Sequence, residues 1–280
     1  MPPSLPAESH IGRVALRVAD GEPVVDFYRD VVGLAVLDES GDSTTLGVEG
    51  EPSLVVREDP DLEGRSEDAA GLYHTAFRVP DRAALGDALH RIRADWHLDG
   101  AADHLVSEAL YCTDPAGNGV EVYRDRPREE WPRGEGGGVE MATDPLDLGA
   151  VAGVAAGESV APAGTDVGHV HLEVTSLSEF AAVYEEGVGF TLQTTMPGAR
   201  FVGAGGYHHH VGANVWQHRS DPAAGEGLDW FEVVVPDDEA LVAVGERLEN
   251  AAVALEERDD WLALEDEDGI GVRVRSDRPA

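Results

Sequence analysis

The chain has 280 residues and a formal net charge of −35, from 20 basic and 55 acidic side chains, and every basic residue is arginine. Such a surface repels phosphate backbones and anionic lipid, so nucleic-acid and membrane partners are not expected. A single cysteine, Cys112, excludes an intrachain disulfide framework and a cysteine-built zinc site.

In chain order, Val14–Val18 reads as a strand. Glu22–Val32 follows as a helix with Val25, Tyr28 and Val32 on one face, and Gly33 stands at its C-cap. Ala35–Asp38, Ser43–Val48 and Ser53–Arg57 are then short strands separated by Gly-containing turns. The plan repeats with a strand at His74–Val79, a helix from Asp81 to about Asp95, and strands near His104–Val106, Glu108–Thr113 and Gly119–Arg124. Residues 128–166 form a connector with a Gly-Glu-Gly-Gly-Gly run and a short helix expected to be capped by Asp144, with Pro145 at its first position. Beyond it both units recur, with helices near Leu177–Gly187 and Asp238–Asn250 and with Gly189 just past the first of them. Asp20, Asp81 and Asp237 follow first strands and suit helix N-caps. The expected organisation is a first pair of βαβββ units at 10–127, the connector, and a second pair at 167–280.

The duplication is most informative where the copies differ. Arg13-Val14-Ala15-Leu16-Arg17-Val18 aligns with His169-Val170-His171-Leu172-Glu173-Val174, 156 positions on, and His74-Thr75-Ala76-Phe77 aligns with Trp230-Phe231-Glu232-Val233 at the same spacing. Gly117-Asn118-Gly119-Val120-Glu121-Val122 aligns with Gly269-Ile270-Gly271-Val272-Arg273-Val274, 152 positions on. Each pair keeps one metal-ligand type and loses the other, leaving His74, Glu121 and His169. Two imidazoles and a carboxylate suit non-haem Fe(II), with Mn(II) or another divalent ion as alternatives. Glu121 lies between Val120 and Val122. If those valines face the helices, its carboxylate faces inward, where a divalent ion would offset its charge.

The ordered motifs resemble the vicinal-oxygen-chelate superfamily of glyoxalases, bleomycin-resistance proteins and extradiol dioxygenases, specifically its two-domain catechol 2,3-dioxygenase-like branch. They are His10-Ile11-Gly12, the run from Phe27 to Leu34, Gly71-Leu72-Tyr73-His74, the stretch from Asp103 to Tyr111, Asp114-Pro115-Ala116-Gly117 through Tyr123, Gly168-His169-Val170-His171, and Gly205 through Gly212. The resemblance implies an α+β fold of four βαβββ units forming two half-open barrels. It further implies ligands on the first strand of each unit and on one last strand, which His74, His169 and Glu121 satisfy. The familiar extradiol enzymes take all three ligands from the C-terminal half, where this chain offers His169, Trp230 and Arg273. Either units two and three pair across the connector into one barrel, which the complementary losses favour, or the units pair sequentially and each half holds an incomplete set.

The resemblance implies extradiol cleavage of an aromatic diol by O2, a reaction of aromatic catabolism. His210 of the triplet His208-His209-His210 is the expected acid/base, the triplet being read as a strand in which His208 and His210 share a face. His104, Tyr123, His171 and His208 are the weaker candidates for a substrate pocket. The alternatives are a glyoxalase- or epimerase-like metal enzyme and a metal-free bleomycin-resistance-type binding protein. With no targeting pattern from Met1 to His10 and no apolar run near the ~18 residues of a membrane span, a soluble cytoplasmic protein is expected, its oligomeric state left open. Because the Debye length falls to ~3 Å at ~1 M salt, the charge also points to a halophilic habitat.

Overall fold

The computed structural model describes residues 4–134, 138–258 and 260–277. Four βαβββ units follow one another. The first holds β1 (His10–Val18), α1 (Gly21–Phe27), β2 (Ala35–Ser40), β3 (Ser43–Val48) and β4 (Glu51–Glu58). The second holds β5 (Gly71–Arg78), α2 (Arg82–Asp95), β6 (Gly100–Asp103), β7 (Ser107–Thr113) and β8 (Gly119–Asp125). The connector carries β9 (Asp144–Pro145) and α3 (Leu148–Ala152). The third unit holds β10 (Asp166–Glu173), α4 (Leu177–Ala181), β11 (Thr191–Met196), β12 (Ala199–Gly203) and β13 (Val211–Asn214). The fourth holds β14 (Gly227–Val235), α5 (Asp238–Asn250), β15 (Leu255–Glu257), β16 (Trp261–Glu265) and β17 (Gly271–Ser276).

Units two and three share a nine-stranded sheet of order β11-β12-β13-β10-β5-β8-β7-β6-β9, and units one and four share an eight-stranded sheet of order β15-β16-β17-β14-β1-β4-β3-β2. The junctions are antiparallel pairs of first strands, β5 with β10 and β1 with β14. These four strands sit mid-sheet, and β5, β10 and β14 are mostly buried although β5 and β10 carry polar residues, whereas β1 is buried mainly in its second half. The two sheets form curled α+β half-barrels. Alternation sorts their faces: in β8, Val120 and Val122 enter the main apolar core while Glu121 and Tyr123 turn away from it. In β17, Val272 and Val274 do the same and leave Arg273 and Arg275 on the opposite face.

The helices join the units in the other combination. The Arg91 guanidinium of α2 donates to the Val31 and Val32 carbonyls at the end of the first unit's helix. Its counterpart 156 positions on, Arg247 of α5, donates to the Val188 carbonyl of the third unit. Units one and two, and three and four, are thus clamped through helices, while the sheets bind two to three and one to four.

Asp81 and Asp237 cap α2 and α5 through the Ala84 and Ala240 amides, whereas Asp20 stands at the start of α1 without a side-chain bond. The expected long helices of units one and three each finish as a π-helical turn, Tyr28–Val32 and Ala182–Val188, stopped by left-handed Gly33 (φ 92°) and Gly189 (φ 101°). The connector differs from expectation. Asp144 and Pro145 extend the sheet beside β6, and the short helix starts three residues later with Asp147 accepting from the Ala150 amide. His104–Val106 is a turn rather than a strand, Leu105 taking φ 68° after β6 has ended at Asp103. Residues 135–137 of the glycine-rich run lie outside the described residues.

Candidate metal centre

The centre grows out of the junction between β5 and β10. Their antiparallel register places His169 opposite Ala76, and the parallel register of β5 with β8 places Ala76 opposite Glu121. Three ligand-type side chains therefore come to one spot on the concave face. His74 Nε2 is 3.0 Å from Glu121 Oε2, His169 Nε2 is 3.3 Å from the same oxygen, and the two Nε2 atoms are 3.3 Å apart. All three residues are buried, with exposures of 6%, 2% and 2% for His74, Glu121 and His169.

This geometry suits a divalent cation. At metal–ligand distances of about 2.1 Å, neighbouring ligands lie about 3.0 Å apart in an octahedral set and about 3.4 Å apart in a tetrahedral one, and the observed spacings fall in that interval. The charges agree. Burial pushes the His169 imidazole down to about 4 despite Glu121, so the ring is neutral near pH 7. Burial alone would raise the Glu121 carboxyl, but its contacts with His169 and His74 outweigh it and hold the group well below the usual carboxylate range. A buried carboxylate beside two imidazole nitrogens is the donor set that a divalent ion satisfies, displacing any proton shared among them. On the other side of the His169 ring, Nδ1 is buried and has no hydrogen-bond partner among the described residues.

The trio lies in the wall of a cavity of about 280 Å³. Glu121 is the only carboxylate among its described lining residues, and Tyr73, Tyr111, Phe201 and Trp216 make much of the rest. The connector closes one side with Met141 and Thr143. Hydrogen bonds fix three further imidazoles there. The Ala142 carbonyl, 2.6 Å from His104 Nδ1, must accept, so Nε2 is left to accept from the Tyr111 hydroxyl at 2.6 Å. Asn214 takes the Trp216 amide on its oxygen, so its amide nitrogen faces His171 Nε2 at 3.1 Å and places the His171 proton on Nδ1. Burial, then the nearby His74 and His169, push His171 well below the usual histidine range.

His209 also lines the cavity, through a chain that runs outward. Its Nδ1 is 2.8 Å from His208 Nδ1, and His208 Nε2 is 2.9 Å from Asp125, whose side chain is 22% exposed. Asp125 can only accept, so His208 Nε2–H donates to it; with a lone pair on His208 Nδ1, His209 Nδ1–H donates there and His209 Nε2 is left as a free lone pair. Burial pushes His209 well below the usual range, which keeps it neutral.

Of the residues singled out in the sequence, His74, Glu121 and His169 are together, and His104 and His171 share their cavity. His210 is not there: its Nδ1 accepts from the Ala204 amide and its ring lies against Phe190 and Tyr207. The histidine triplet precedes β13 as irregular chain, so strand alternation does not govern it. His208 stands behind His209. Tyr123 is buried outside the cavity with its hydroxyl 2.7 Å from that of Tyr207. Gly168 makes room for it, since a Cβ there would lie 1.8 Å from the Tyr123 oxygen.

Comparison with known proteins agrees with this architecture. Residues 10–122 match the Glyoxalase/Bleomycin resistance protein/Dioxygenase superfamily. A catechol-2,3-dioxygenase of Bacillus subtilis (strain 168) is 38% identical over 274 residues, covering 94% of this chain and 95% of that one. A trivalent organoarsenical cleaving enzyme of Thermomonospora curvata is 28% identical over 116 residues, 40% of this chain and 74% of that one. Among solved structures, a Bacillus subtilis protein superposes with a TM-score of 0.68 at 12% identity, covering 100% of this chain and 87% of that one. Glyoxalase I from Zea mays superposes with 0.59 at 13% identity, covering 96% and 92%. At those identities the superpositions speak for the fold alone, whereas the full-length 38% relationship carries the family: the chain belongs to the Glyoxalase/Bleomycin resistance protein/Dioxygenase superfamily, in its two-domain, catechol 2,3-dioxygenase-like branch.

Proposed function

We propose that this chain is a non-haem Fe(II) dioxygenase that opens a catechol-type ring beside its diol. The observation that carries the reading is the convergence of His74, His169 and Glu121 on one point in the wall of an aromatic cavity. The full-length relationship to a catechol-2,3-dioxygenase supports it. In this reading those three residues hold the metal, which supplies the redox chemistry that joins O2 to the ring; diol plus O2 gives one ring-opened semialdehyde acid, with no further reductant.

The remaining steps belong to the protein. Tyr73, Phe201 and Trp216 confine a flat ring and exclude water, while Met141 and Thr143 bound the cavity from the connector. His209, held by His208 and Asp125 with Nε2 free, takes a proton from a diol hydroxyl and returns it as the ring opens. It fills the acid/base role for which His210 was the sequence-based candidate. His171, anchored by Asn214, donates from Nδ1.

A glyoxalase- or epimerase-like reaction needs a second carboxylate as base, and the described lining holds Glu121 alone. The test is anaerobic Fe(II) reconstitution followed by a catechol screen in air. A yellow semialdehyde product supports the proposal, and full anaerobic activity on an enediolate-forming substrate with Ni(II) or Co(II) supports the rival.

A further inference from the structure

The second sheet has lost its ligands, yet its concave face keeps a constellation that nothing so far has used. The positions equivalent to His169, His74 and Glu121 hold Arg13, Trp230 and Arg273. Arg273 is stacked between two indoles, its guanidinium carbon 3.8 Å from the Trp230 ring centre and 4.8 Å from that of Trp261. Among the described residues no carboxylate is paired with it. Burial, and then Arg13 and Arg57, press on its charge, which Glu232 and Asp229 support from a distance without an ion pair, and Arg275 stands two residues along the same face of β17.

Counter-charge is short. Glu232 binds Arg13 at 2.5 Å and lies 3.5 Å from Arg275, and Asp229 binds Arg57 at 2.7 Å. Four guanidiniums share the direct contacts of two carboxylates, with Asp42 and Asp59 also near Arg57, in a chain whose net charge is −35. A mere plug for a vacated barrel would bury and pair these groups. Yet the side chains of Arg13, Arg57 and Arg275 remain 37%, 46% and 35% exposed, and among the described residues the Arg273 guanidinium has no hydrogen-bond acceptor.

We propose that this face is an anion site for a small carboxylate, bound by the fork of Arg273 with Arg57 and Arg13 around it. The indoles hold the guanidinium plane and lower the entropy lost when its paired N–H groups meet a planar carboxylate. The acidic surface around the site disfavours polyanions, so a small carboxylate suits it better than phosphate.

Acetate titrated calorimetrically into the full chain at constant ionic strength tests the site. Saturable one-to-one binding is expected, retained in His74→Ala, which separates this site from the proposed metal centre and from any failure of the dioxygenase reading. Arg273→Gln should weaken binding at least about tenfold, and Arg273→Lys should weaken it too, because charge survives but the fork does not. Should Arg273→Gln fold poorly, Arg57→Gln at an exposed guanidinium should also weaken binding. Absence of saturation, equal affinity for inorganic phosphate, or unchanged affinity in Arg273→Gln and Arg57→Gln overturns the proposal.

Discussion

Glu121→Gln should move the stability of the metal-free and metal-loaded protein in different ways. In the metal-free chain Glu121 is a 2%-exposed carboxylate in contact with two imidazoles, so a same-shaped neutral amide removes a buried charge while keeping an acceptor oxygen for those contacts. Its stability should stay within about 1 kcal/mol of wild type or rise. In the loaded chain Gln removes the only carboxylate of the trio, and none of the other described lining residues is a carboxylate that could replace it. Losing a direct ligand should cost at least about 100-fold in metal affinity, the upper end of what outer-sphere substitutions cost. With metal at about 100 times the wild-type Kd, folding gains about 2.7 kcal/mol in wild type but only about 0.4 kcal/mol in the variant. For a chain of this size that is a rise in Tm of about 5–10 °C against about 1 °C. Anaerobic scanning calorimetry of chelator-stripped and Fe(II)- or Mn(II)-loaded protein reads both quantities. A strongly destabilised metal-free variant whose metal-induced rise equals that of wild type would refute the reasoning.

Three further outcomes follow from the same structure. His209→Ala should lower kcat by about 10²- to 10⁴-fold while leaving metal content and KM near wild type, and a variant of unchanged kcat would remove His209 from the proton path. Asp266, pushed up to about 6 by burial while accepting from the Asp268 and Ile270 amides and the Tyr184 hydroxyl, contributes stability below about pH 4 that is lost as pH rises through about 6. Asp266→Asn should therefore match wild type near pH 4 and exceed it by about 2–3 kcal/mol above pH 7 in urea unfolding, a gap that must not shrink with pH. With a net charge of −35, Tm should climb as KCl goes from millimolar to molar, and a fall would reverse the inference of salt adaptation.

The clustering of His74, Glu121 and His169 was legible because strand chemistry is strictly periodic. Val120 and Val122 had to share a face, and that alone turned Glu121 inward. The exchange of ligands between duplicated positions then pointed to units two and three as partners, the pairing seen in the nine-stranded sheet. His209 was not legible, because the triplet lies in irregular chain where alternation gives no direction and tertiary hydrogen bonds to Ala204 and Asp125 decide which ring goes where. Met141 and Thr143 were hidden for a similar reason: only the path of the connector brings them to the cavity. The cap at Asp147 rather than Asp144 reflects sheet pairing with β6 overriding a good local start signal. Arg91 and Arg247, which clamp the units through their helices, would have been found by extending the 156-residue spacing to charged helix positions.

Oxygen uptake by the Fe(II)-reconstituted chain with catechol decides whether the cavity built by units two and three performs the proposed extradiol dioxygenation. One O2 should be consumed per yellow product formed in wild type, and none above background in His74→Ala; uptake that persists undiminished in His74→Ala would contradict the proposal.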